Sequence, residues 1–125
     1  MATKFSQILL MVTDVLETAK FYSEGLGIRV KEARYGMAEL DANGTAIILH
    51  HAENPQPGNS PILSFHVDDV NVTVEKLEAM GGKLEGRIRE PFFGKVAAVR
   101  TPDGHLISLL QPTNKESKTS SNTPQ

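Results

Sequence analysis

The 125-residue chain is long enough for one domain that buries roughly two-thirds of its unfolded surface without staples. It contains no cysteine, which excludes disulfides, thiolate metal sites and a catalytic thiol. A formal net charge of −2 gives no electrostatic reason to expect nucleic acid or an anionic membrane as partner. The longest apolar run is too short to span a bilayer, and Met1-Ala2-Thr3-Lys4-Phe5 enters a strand without a signal-like hydrophobic core. A soluble cytoplasmic protein with no membrane partner is the expectation.

In chain order, residues about 5 to 12 read as an apolar strand. Thr13-Asp14 opens a helix in which Glu17 completes a capping-box-like exchange. Leu16, Ala19, Tyr22 and Leu26 give its expected buried stripe, and Gly25-Leu26-Gly27 ends it. From Ile28 to Leu49 three strands are expected, broken at Tyr35-Gly36 and at Asp41-Ala42-Asn43-Gly44, where glycine and asparagine suit tight reversals. A proline-rich segment without hydrophobes, residues 53–60, reads as a linker of crossover length.

The order then repeats. A strand over 62–67 is followed by a helix from Asp69, with Val70, Val74, Leu77 and Met80 as its stripe and Gly81-Gly82 as its stop. Strands near 83–89, 94–100 and 105–111 complete the second half. Residues 113–125 read as a disordered polar tail, because side chains without apolar surface cannot offset the entropy of being ordered. The repetition is visible in the residues: Val12-Thr13-Asp14-Val15 returns as Val67-Asp68-Asp69-Val70, and Gly27 as Gly82. Two units over about 5–52 and 61–112, neither able to bury its own apolar face, are expected to pack into one domain spanning 1–112.

This doubled strand-helix-three-strand order, with Val-x-Asp at both helix entries, Phe21-Tyr22, Gly25-Leu26-Gly27 and the Thr101-Pro102-Asp103-Gly104 turn before the last strand, resembles the vicinal oxygen chelate superfamily. Its members include glyoxalase I, bleomycin-resistance proteins, fosfomycin-resistance proteins and extradiol dioxygenases. The resemblance implies an α+β fold of two βαβββ modules forming a curved open-barrel cleft, and a homodimer. It also implies four metal-ligand positions. Carried over one at a time, these fall on Gln7, on Ile48 (or Leu49 in an alignment shifted by one residue), on Ile62 and on Ser108. Only Gln7 resembles a ligand. A neutral amide and a hydroxyl do not hold a divalent cation strongly, so no metal or other cofactor is expected.

Strand alternation extends each position along its face. The expected cleft residues are Gln7, Leu9, Met11, Ile48, His50, Ile62, Ser64, His66, Ser108 and Leu110. Such a wall suits a small, partly apolar organic ligand. The alternatives are a non-catalytic interaction module and a metal-dependent lyase, isomerase or dioxygenase, with a divalent ion on relocated ligands Gln7, His50 and His66 and Glu39 as a further carboxylate. His50 and His51 are adjacent on a strand and point to opposite faces, so they do not share one ion.

Asp14 and Asp69 read as helix caps, His105 as solvent-facing, and Arg34, Arg89, Lys95 and Arg100 as scattered solvated charges rather than anion ligands. Phe65 has core parity. Phe92-Phe93 falls in a Pro-Phe-Phe-Gly turn, covering the cleft or meeting a partner subunit. Phosphate-loop, dinucleotide, serine-hydrolase and zincin motifs are absent from the sequence.

Overall fold

The computed structural model describes residues 6–113, so the expected tail from 114 onward lies outside the described residues. The elements follow the order β1 (Ile8–Val12), α1 (Val15–Leu26), β2 (Arg29–Arg34), β3 (Met37–Ala42), β4 (Thr45–His51), β5 (Leu63–His66), α2 (Val70–Ala79), β6 (Lys83–Arg89), β7 (Gly94–Arg100) and β8 (Leu106–Pro112). This is an α+β chain of two βαβββ modules. They form two compact units that divide between Gln56 and Pro57, inside the expected linker.

In the first unit the strand order is β1-β4-β3-β2, with β1 parallel to β4 and the other neighbours antiparallel. Period-2 alternation sorts the sheet. Leu10, Val12, Ala38, Leu40, Ile47 and Leu49 are buried and share the face against which α1 packs. Each of the valine, leucine and isoleucine side chains contributes about 1.5–3 kcal/mol when fully withdrawn from water. The helix starts where Asp14 Oδ1 accepts the Glu17 amide at 3.0 Å, the forward half of the capping box. It runs through Gly25 and stops at Gly27, whose φ of 75° supplies the left-handed C-cap.

The expected α1 stripe is corrected at its first position. Ala19 and Tyr22 are buried as expected and Leu26 is partly buried, but Leu16 is 62% exposed, and Val15, Thr18, Phe21 and Gly25 complete the buried side. The reason is the cap: Asp14 fixes the first turn, and the 100° step then carries Val15 rather than Leu16 onto the sheet.

The second unit repeats the arrangement with order β5-β8-β7-β6. Ala97, Val99, Ile107 and Leu109 form its buried sheet face, with Leu63 and Phe65 in register beside the last two. Phe65 therefore has the core parity expected of it. On α2, Val70, Val74 and Leu77 are buried, and Asp69 Oδ1 accepts the Val72 amide at 3.1 Å. Gly82 donates to the Leu77 carbonyl at 2.8 Å where the helix stops. Among the described residues no helix is long and apolar enough to cross a membrane.

Candidate functional site

The face turned away from the helix carries the side chains that alternation selects. In the first unit Leu9 lies in register with Ile48 and Glu39, and Met11 with His50 and Met37. Gln7 precedes β1 on the same parity and is exposed. Leu49 pairs instead with Leu10 and Ala38 in the helix-facing core and is fully buried, so of the two alignments Ile48 is the residue on the far face. Ile48 is itself buried.

In the second unit Ser64 pairs with Ser108, and His66 with Leu110. Ile62 precedes β5 on the same parity and is half-exposed. The expected residues thus fall into two sets, one on each unit's far face. Ala98 and Val96 of β7 extend the second set, beside Ser108 and Leu110 respectively. Alternation within one strand does not reveal these two; the register between strands does.

The adjacent histidines separate as expected. His50 belongs to the far face, while His51 pairs with Val12 and its Nδ1 lies 2.9 Å from the Thr13 carbonyl. A carbonyl only accepts, so this Nδ1 carries the proton and ties the end of β4 to the start of α1. The second unit has its own tie at the matching place, where Gln111 Oε1 accepts the Val70 amide at 2.9 Å.

The charged residues are more tightly organised than their spacing implied. Arg100 is corrected from a solvated charge to a hub with a side chain only 22% exposed. Its guanidinium donates to Glu85 at 2.8 and 3.2 Å, to the Gly58 and Gly104 carbonyls at 2.8 and 2.9 Å, and to Asn59 Oδ1 at 2.7 Å. Glu85 is held below the usual carboxylate range chiefly by that hydrogen bond. Lys95 is tied to Asn71 at 2.9 Å and to Glu90 at 3.4 Å, and Arg34 to Glu32. Asp41 accepts from the Gly44 amide at 2.8 Å and from Arg29 at 3.0 Å, and these two contacts, in that order, lower its pKa. They brace a two-residue turn whose Asn43 and Gly44 both have positive φ, 53° and 96°.

His105 is corrected too. It is half-buried rather than solvent-facing, and burial pushes its imidazole below the ordinary value while Asp103 pulls the other way. The Thr101-Gly104 turn explains its position: Gly104 donates to the Thr101 carbonyl at 2.7 Å, and the His105 amide donates to Thr101 Oγ1 at 3.0 Å. Phe92 and Phe93 meet edge to face at 5.4 Å at the β6–β7 turn, with Phe92 almost wholly exposed. Hollows of about 250 Å³ beside Leu16, Tyr35 and His51, and of about 300 Å³ beside Pro91, Lys95 and Gln111, lie at helix starts and hairpin tips. None of the expected cleft residues lines either one.

Gln7 and Ile48 in the first unit, and Ile62 and Ser108 in the second, stand where the resemblance implies metal ligands. Neither pair includes a carboxylate or an imidazole, so neither fits a hard divalent ion. Glu39, in register beside Ile48, already faces Lys31 at 3.8 Å.

A doubled βαβββ chain with one helix-covered and one helix-free face per sheet defines a class of two-module α+β proteins. The chain belongs to the Glyoxalase/Bleomycin resistance protein/Dioxygenase superfamily, whose model matches residues 4–109. It is 28% identical to the Bacillus subtilis protein YraH, over 86% of this chain and 98% of that one. It is 27% identical to glyoxalase I of Saccharomyces cerevisiae over 81% of this chain, but spans only 42% of the yeast protein. The fold is shared with a glyoxalase/bleomycin resistance protein/dioxygenase family enzyme from Burkholderia phytofirmans, with a TM-score of 0.75, 19% identity and coverage of 86% of this chain and 97% of that chain. It is also shared with the fosfomycin resistance protein FosX from Listeria monocytogenes, with a TM-score of 0.74, 20% identity and coverage of 93% and 98%.

Proposed function

We propose that this protein binds a small, partly apolar organic molecule against the helix-free sheet faces, without the divalent metal typical of its superfamily. What supports this reading is the donor chemistry that the family resemblance implies: of the four positions it assigns to metal ligands, two fall on hydrocarbon, Ile48, which is buried, and Ile62. Leu9, Met11, Ile48 and Leu110 offer dispersion and desolvation, while Gln7, Ser64, His66 and Ser108 offer a few hydrogen bonds to fix orientation. A Listeria FosX structure is described with Mn(II) and sulfate, which makes the contrast in donor chemistry the feature to test. A homodimer accompanies the proposal, since each sheet ends in two edge strands, β1 and β2 in one unit and β5 and β6 in the other.

The test combines a thermal-shift screen against small organic metabolites, with and without divalent cations, and elemental analysis after dialysis. A ligand present at a hundred times its Kd stabilises the fold by about 2.7 kcal/mol, which a melting curve resolves. The expected result is a metal-independent rise in Tm and less than one equivalent of tightly held divalent metal. A full equivalent of a divalent ion retained through dialysis, or hemithioacetal turnover abolished by a chelator, overturns the reading in favour of a metal enzyme with relocated ligands.

A further inference from the structure

On the far face of the first sheet, Met11 of β1, His50 of β4 and Met37 of β3 stand in one row. Met11 is the register partner of His50 in the parallel pair, and Met37 its partner in the antiparallel pair. Neighbouring strands lie about 4.7–4.9 Å apart, and side chains in register share a face. Two thioethers therefore flank one imidazole. Each methionine has three side-chain torsions with which to bring its sulfur over the ring between them. His50 is exposed, Met11 is 38% exposed and Met37 is partly exposed, so the row opens to solvent.

The imidazole is already oriented for ligation. His50 Nδ1 lies 3.1 Å from the His51 carbonyl, which can only accept, so Nδ1 carries the proton and Nε2 is the nitrogen left for a metal. A ring nitrogen anchored on a backbone carbonyl is the usual outer-shell support of a metal-binding histidine.

We propose that Met11, His50 and Met37 form a site for a soft monovalent metal ion of the copper group, Cu(I) or Ag(I). Two thioether sulfurs and one imidazole nitrogen are soft or borderline donors, and all three are neutral. They suit a single positive charge; a hard divalent ion needs oxygen donors and charge compensation that this row lacks. The row continues into Arg34, the register partner of Met37, whose charge is met by Glu32, while Glu39 belongs to the adjacent row and faces Lys31. Competing sulfur is scarce, because the chain has no cysteine and only four methionines. The site lies within one sheet and does not depend on organic-ligand binding.

The experiment titrates Ag(I) into the metal-free full chain, without organic ligand, and follows the methionine methyl and His50 ring signals by NMR. The expected result is that Met11, Met37 and His50 signals move together and saturate at one equivalent while those of Met80 stay in place. Competition against a chromophoric Cu(I) chelator should show at least a tenfold loss of affinity in the double variant Met11→Leu, Met37→Leu and in His50→Gln. Leucine keeps the apolar volume, and thermal melting verifies that each variant is folded. Saturation at Met80 before Met11 and Met37, absence of any shift at one equivalent, or undiminished Cu(I) binding by the leucine variant overturns the proposal. Failure here leaves the organic-ligand reading standing, since the metabolite screen is run without silver or copper.

Discussion

Arg100 and His105 show how single side chains fix the last turn of the second unit. The guanidinium, with five donors in a rigid fork, gathers Glu85 of β6, Gly58 and Asn59 of the connecting segment and Gly104 of the turn. Gly104 in turn sets His105 in a half-buried place. A desolvated imidazole resists protonation, so its folded pKa lies below the ordinary 6.5. The unfolded chain then binds the proton more readily than the folded one, and stability falls as pH drops below about 6.5. This loss precedes the acid loss carried by Asp41 and Glu85, whose lowered values keep their contributions intact until the carboxylate range. Tm measured from pH 7.5 to 5 is therefore expected to decline for the parent chain, and His105→Asn to flatten that part of the curve. An unchanged slope in the variant would show that another group carries the proton.

At the scale of elements, the strands were legible because alternation of period 2 survives small errors of boundary. The observed β6 and β7 coincide with the expected ranges, and β8 begins one residue later than expected. The helix α1 was legible in its ends, through Asp14 and Gly27, and in Ala19 and Tyr22 of its stripe, but not at its first buried position. Leu16 and Val15 are both apolar, and a one-residue step moves a side chain by only 100° around the axis, so spacing alone leaves both competing for that place. The cap decides between them. Leu16→Ser is thus expected to change stability by no more than about 0.5 kcal/mol, the ordinary range for an exposed position. Val15→Ala, at a buried one, should cost about 1–3 kcal/mol. Urea denaturation of the two variants checks this, and a larger loss for Leu16→Ser would restore the other stripe.

Across the whole molecule, the two modules keep their helix-facing positions and diverge on their far faces. Ile47 and Leu49 of β4 match Ile107 and Leu109 of β8, and all four are buried. Their far-face neighbours Ile48 and His50 match Ser108 and Leu110, which differ in size and polarity. Packing constrains one face through close contact, whereas the other is free to follow a ligand. The residues of the candidate site were legible as far-face residues through this alternation; Val96 and Ala98 were not, because they depend on register between strands. The proposed absence of divalent-metal chemistry can be tested at the buried position. Ile48→Glu places a carboxylate where Glu39 is the register neighbour, so desolvation and like charge both raise its pKa. The variant should lose about 2–4 kcal/mol at neutral pH, and less as pH falls through the raised pKa and the carboxyl is neutralised. Adding Mn(II) should not restore its Tm, because on that sheet face Glu39 is already engaged by Lys31 and Gln7 adds only a neutral amide. Recovery of the parent Tm in Mn(II) would mean that one carboxylate completes a latent divalent site, and that hydrocarbon at residue 48 alone keeps the metal out.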